Sequence, residues 1–193
     1  MKIRFLLPLP LGLLLLGACK KEDPEAGLPA ATQQGLNTSG FLLDGEAYPG
    51  TYRAGGFMSG SNTYAVEGGY AFSIPGFVTP PQYDLRINGM HGNSSALVKL
   101  YLRHPAVGEF ALNRNTGLPP SAADSTIFDH ASVQLGGSSE VYATDATHTG
   151  RIVMSRASQA AMAAAGTFEF TAVSTQDPRK TVRVTAGRFD RQQ

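Results

Sequence analysis

The chain has 193 residues, with 16 Lys and Arg against 15 Asp and Glu, 22 Gly, 12 Pro, one Cys and no Trp. With 16% charged residues and a net charge of +1, it lacks the basic footprint that nucleic-acid binding requires. A single Cys excludes an internal disulfide framework and any zinc or iron–sulfur site built from several cysteines. In chain order, the first element is an export signal over residues 1–18. Lys2 and Arg4 give it a positive start, and the apolar run from Phe5 to Leu16 follows. That run is twelve residues long, against the roughly 20 needed to cross a bilayer as a helix, so it reads as a cleaved signal and not as a membrane span.

The signal ends in Leu16-Gly17-Ala18-Cys19, which resembles the lipobox of bacterial lipoproteins. The resemblance implies that the Cys19 thiol receives a diacylglycerol, that cleavage falls just before it, and that the freed amine is acylated, commonly with palmitate. Two or three acyl chains hold a protein stably on a membrane where one holds it only marginally. The next residues, Lys20, Lys21, Glu22 and Asp23, resemble the Bacteroidetes lipoprotein export signal, a basic residue followed by acidic ones close behind the acylated Cys. This implies a lipid-anchored protein of the outer membrane, facing the cell exterior.

Residues 19–39 are rich in Pro, Ala, Gly, Gln, Thr and Ser, with Leu28 and Leu36 as the sizeable apolar residues. Such a stretch buries too little apolar surface to offset its ordering entropy, so it reads as a flexible tether spanning about 25 Å. The body, residues 40–193, carries 12 basic and 12 acidic side chains. A neutral body has no overall attraction to anionic lipid or polyanions.

Within the body, Gly, Pro, Asn and Asp recur every eight to twelve residues, the spacing of an all-β sandwich or barrel. Candidate strands fall at residues 41–43, 64–74, 83–87, 96–103, 108–112, 132–135 and 151–155. In residues 167–173, Phe168, Phe170 and Ala172 point one way while Glu169 and Thr171 point the other. Residues 181–185 repeat the alternation, and Gly187 marks a bulge or turn before Phe189. The alanine-rich residues 157–165 favour helix by propensity and are read as a short helical connector ending at Gly166. Gly- and Pro-rich loops lie at residues 74–82 and 113–123. The fold class expected is all-β: a single antiparallel β-sandwich or flattened barrel with one short helical connector.

The runs Gly108-Glu109-Phe110-Ala111-Leu112, Tyr142-Ala143-Thr144, Gly150-Arg151-Ile152-Val153-Met154, Gly166 through Ala172 and Lys180 through Asp190 look like a group of Bacteroidetes lipoproteins of unknown activity. The segment from Phe41 to Tyr48 is similar to their first strand. The likeness implies a lipobox, a tether and one all-β domain, and it supplies no activity to carry over. Its residues are turn glycines and core aromatics, which a strand–turn–strand ending needs for itself.

Chemistry is thin. His91, His104, His130 and His148 are at least a dozen residues apart, so they form no local zinc motif. There is no Gly-x-Ser-x-Gly elbow and no second Cys. Asp124, Asp129, Asp145 and Asp177 fit no calcium loop and read as solvated turns. No metal and no cofactor is called for. Asp124-Ser125-Thr126 resembles the Bacteroidetes O-glycosylation acceptor, which would place a glycan on Ser125. Tyr64, Tyr70, Tyr83 and Tyr101 fall in predicted strands, where core packing is the usual fate of a tyrosine, although a β-face of tyrosines also stacks on sugars or proteins. The absence of Trp weighs against a glycan.

These readings converge on an outer-membrane lipoprotein whose body is a non-catalytic binding or accessory module for a protein or glycan partner. That function predicts a tyrosine-rich or apolar patch outside the core. The alternative is a lipocalin-like carrier with a Phe- and Ile-lined interior pocket. A hydrolase is the outsider, requiring His and carboxylate side chains to converge in a concave site.

Overall fold

Alternating burial organises the chain into strands. The computed structural model describes residues 23–52, 63–70, 82–114 and 129–193. Among them are eleven strands: β1 Thr38–Leu43, β2 Glu46–Pro49, β3 Val66–Tyr70, β4 Tyr83–His91, β5 Ser94–Leu102, β6 Gly108–Leu112, β7 His130–Leu135, β8 Val141–Ala143, β9 Gly150–Ser158, β10 Ala163–Ser174 and β11 Thr181–Gln192. All pair antiparallel in one sheet of order β2-β1-β11-β10-β8-β7-β5-β4-β3. β9 pairs with the first half of β10, and β6 flanks β9. The sheet curls into a half-barrel, consistent with the all-β class expected, and the Gly50–Gly89 bridge joins the β2 end to β4.

The concave face is filled. Phe41, Leu85, Ile87, Val98, Leu102, Leu112, Val133, Ile152 and Val184 are fully inaccessible, and Phe168, Phe189, Tyr83 and Tyr70 form a chain of ring contacts with centroids 5.0 to 6.4 Å apart. Burying one such side chain contributes about 1.5–3 kcal/mol, so this face drives the curl. The Tyr70 and Tyr83 hydroxyls are buried with no hydrogen-bond partner among the described residues. Burial pushes both phenols above their ordinary pKa.

Local chemistry sets the corners. Leu43 pairs with Glu46 across Asp44-Gly45, whose φ values of 51° and 92° belong to the two-residue hairpin turn that matches strand twist. In β11, register slips by one residue between Gly187 opposite Phe168 and Val184 opposite Phe170. The extra residue makes the bulge expected at Gly187, with Ala186 at φ 49°.

Two expectations are corrected. Residues 157–165 form no helix: they are the end of β9, a turn over residues 159–162, and the start of β10. Alanine's helix propensity is a weak preference, and here pairing on both sides overrides it, with Ala164 opposite Ala157 and Arg191. Small side chains suit the position because Ala163, Ala164 and Ala165 are all buried, so both faces of the strand are covered. The cover on the outer face is the second correction. Residues 25–37, read as free tether, form a strap fastened to β9 and β11. Arg188 bonds Glu25 and the Pro29 carbonyl, Arg156 bonds the Gln33 carbonyl at 2.7 Å, and Arg191 bonds Asn37 Oδ1 at 2.8 Å.

The buckle of that strap is Asp190, 1% exposed and directly opposite Ala165. Its Oδ2 accepts from Thr32 Oγ1 at 2.6 Å and from the Gln34 and Leu36 amides at 2.9 and 3.2 Å, while Oδ1 accepts from the Gly35 amide at 2.8 Å. Burial alone raises a carboxyl pKa, but these four donors outweigh it and hold Asp190 below the usual range.

Candidate functional site

Asn88 on β4 joins two chain segments that are distant in sequence. Beyond Ile87 the outer edge of β4 passes from β3 to the continuation of β2. The Asn88 carbonyl accepts the Thr51 amide at 2.9 Å, and the Asn88 amide donates to the Ala65 carbonyl at 3.0 Å. Its side-chain Nδ2 donates to the Tyr64 carbonyl at 2.9 Å, and Glu67 Oε1 takes the Tyr64 amide at 2.8 Å. One residue therefore fixes the backbone on either side of the site.

The consequence is a surface pair of aromatics. Tyr52 and Tyr64 lie with ring centroids 5.3 Å apart at an interplanar angle of 53°, and they are 54% and 51% exposed. Each directly follows a residue, Thr51 or Thr63, that lines an open pocket of about 270 Å³. Among the described residues, the polar side chains of that pocket are Thr51, Thr63, Asn88, Ser95, Gln134 and Ser138, and no described Asp, Glu, Lys or Arg lines it. Asn88 and Gln134 both stand opposite Leu97 on neighbouring strands, so the pocket sits on the convex face where β4, β5 and β7 end. Gly136 is required beneath it, since a Cβ there would meet Ser95 Oγ at 2.0 Å.

The sequence-predicted residues distribute as follows. Cys19, Lys20, Lys21, Glu22 and Ser125 lie outside the described residues. Asp23 is exposed in the first turn, where its carboxylate accepts the Glu25 amide at 2.9 Å. Tyr70, Tyr83 and Tyr101 are buried, whereas Tyr64 precedes its strand and is exposed. Tyr52 carried no signal: it follows β2 without alternation, and only the Asn88 contacts bring it to Tyr64. His91 faces Glu46 at 3.6 Å, His130 stacks on Tyr101, His148 bonds Asp145, and His104 is exposed. Among the described residues, no three His, Cys, Asp or Glu side chains form a metal-holding group.

Two clusters contain enzyme-type side chains and serve turns. Ser174 Oγ donates to Glu140 at 2.6 Å and accepts the Gln176 and Asp177 amides, which uses both hydroxyl functions in closing the β10–β11 connection. Lys180 and Tyr142 also bond Glu140; with Ser174 making the largest contribution, they hold its pKa below normal. Asp145 accepts the Thr147 and His148 amides in a side-chain turn, and the His148 amide is the main cause of its lowered pKa. A second furrow, of about 410 Å³, crosses β6, β9, β10 and β11. At its centre Arg151 bridges Glu169 at 2.8 Å and Glu109 at 3.5 Å, and Arg183 also lines it, so two basic and two acidic side chains offset one another there.

Fold and site define a small antiparallel β-protein with an outer pocket whose described lining is uncharged, and with two exposed tyrosines next in sequence to its lining residues Thr51 and Thr63. No protein-family model, curated protein or solved structure matches the chain.

Proposed function

We propose that this protein is an outer-membrane lipoprotein, anchored through acylated Cys19 and facing the cell exterior, whose half-barrel acts without catalysis as a binding or accessory module. The observation that supports the binding role is the Tyr52–Tyr64 ring pair, exposed on the surface while Phe41, Tyr70, Tyr83, Phe168, Phe170 and Phe189 are buried. Exposed, rigid aromatic rings with polar tips offer large contact area at small entropic loss. The anchor reading rests on the Leu16-Gly17-Ala18-Cys19 and Lys20-Lys21-Glu22-Asp23 motifs. The experiment is photo-cross-linking from Tyr52 in intact cells, with a benzophenone amino acid at that position. A discrete cross-linked species, lost when the benzophenone is moved to exposed Val107, is the expected result. Equal labelling from both positions refutes the binding role.

A further inference from the structure

We infer that the strap over residues 25–37 is a length-setting device that holds the outer face of β9, β10 and β11 against the membrane, an inference that rests on the lipid-anchor reading above. Asp23 begins a hydrogen-bonded turn, its carbonyl taking the Ala26 amide at 3.1 Å and its carboxylate the Glu25 amide at 2.9 Å. Four residues, Cys19 to Glu22, therefore join the acylated end to the folded body. Whatever path they take, four residues reach about 14 Å at most. A body of this length has a radius of gyration of about 15 Å and is about 40 Å across. The seated strap thus leaves a tether shorter than the body it carries, and the face on which the strap begins cannot turn away from the membrane.

Contacts identify that face. Glu25 bonds Arg188, and Glu25 and Ala31 share a furrow of about 360 Å³ with Arg151, Thr167, Glu169 and Arg188 of β9, β10 and β11. Among the described residues, the charged side chains of this furrow and of the adjoining one are Arg151, Arg183 and Arg188 against Glu25, Glu109 and Glu169. The balance lets the face meet a neutral lipid surface without needing anionic headgroups. Release of the strap changes the reach. Its fastening is largely polar, through Asp190, Arg156, Arg188 and Arg191, while Leu28 is only half-buried and Leu36 is 54% exposed. Since β1 begins at Thr38, detachment adds residues 23–37 to the tether. The resulting coil spans about 25 Å root-mean-square and up to about 65 Å extended, enough for the body to stand off and turn.

The test uses the acylated full chain, purified from its native cells and reconstituted into neutral phosphatidylcholine vesicles whose headgroups carry an energy-acceptor dye. Cys19 is the single cysteine and its thiol is blocked by the lipid, so one introduced thiol carries the donor dye. Arg183→Cys places it on the outer face of β11, and Lys99→Cys places it on exposed β5, four strands away around the curled sheet. Transfer from the Arg183 position should exceed that from the Lys99 position about twofold or more, because the tether is shorter than the body is wide. The contrast should vanish in the Asp190→Ala background. It should vanish equally when about twelve Gly and Ser residues are inserted between Glu22 and Asp23, which lengthens the tether and leaves every strap bond in place. Equal transfer from the two positions in the unaltered background overturns the inference. So does a contrast that survives the insertion, which means that the face adheres by itself, or one that survives Asp190→Ala, which means that the strap does not set the reach. Protein that has no acyl chain by mass and fails to float with the vesicles removes the anchor reading together with the inference; acylated protein that floats without contrast removes the inference alone.

Discussion

Replacing Asp190 with Ala should detach the strap from the barrel. Four donors converge on this carboxylate, and hydrogen bonds to a charged acceptor contribute about 1.5–3 kcal/mol each. The full sum is not expected, because residues 32–36 can swing outward and hydrate their amides once the carboxylate is gone. The net loss should be about 3–5 kcal/mol, or about 10 °C in melting temperature for a domain of this size. Thr32→Ala alone should cost about 1–2 kcal/mol, and close to nothing in the Asp190→Ala background, because its partner is then absent. Urea denaturation of the four-member cycle measures this, and hydrogen exchange should show the Gln34, Gly35 and Leu36 amides losing protection. The pH dependence follows from the same bonds. A carboxyl whose folded pKa is depressed contributes stability above its unfolded pKa of about 3.9 and loses it as pH falls through the folded value. The stability gap between wild type and Asp190→Asn should therefore be constant above about pH 5 and shrink in acid. A Thr32→Ala cost that is equal in both backgrounds, or a gap independent of pH, would refute the buckle.

Further expectations concern the core and the anchor. Tyr83→Phe removes a buried hydroxyl that has no partner among the described residues, so it should leave the protein as stable as wild type or raise stability by about 1 kcal/mol, read by urea denaturation. Gly187→Ala places a Cβ 2.4 Å from Phe168 Cε2 in the core and should destabilise by about 2–4 kcal/mol, lowering the denaturation midpoint without changing the slope. Cys19→Ser should move the protein from the membrane to the soluble fraction on cell fractionation, because no acyl chain is then attached.

Legibility in the sequence followed the reach of the interactions. β6 was readable at its observed bounds, and the β10–β11 alternation and the Gly187 bulge were readable because period-two patterning and turn chemistry are local. Residues 157–165 misled because alanine's helix preference is also local, whereas their burial comes from β11 on one edge and from a strap more than a hundred residues away. Thr32 and Asp190 are separated by 158 positions, and neither has a neighbouring pattern that announces the other. Asp190 stood in the sequence only as the last residue of the run from Lys180. The candidate site was legible in part. Tyr64 stood out as an aromatic and was assigned to a strand; Tyr52 had no marker, since what exposes the two rings together is Asn88 binding both segments through its backbone and side chain.

Native mass spectrometry of the protein extracted in mild detergent from the membranes of its native cells tests the proposed lipid-anchored binding module most directly. The denatured mass should equal residues 19–193 plus two or three acyl chains. The native species should carry an added mass that is absent from the Tyr52→Ala, Tyr64→Ala variant. An unacylated chain beginning elsewhere than Cys19, or an added mass that persists in the variant, would contradict it.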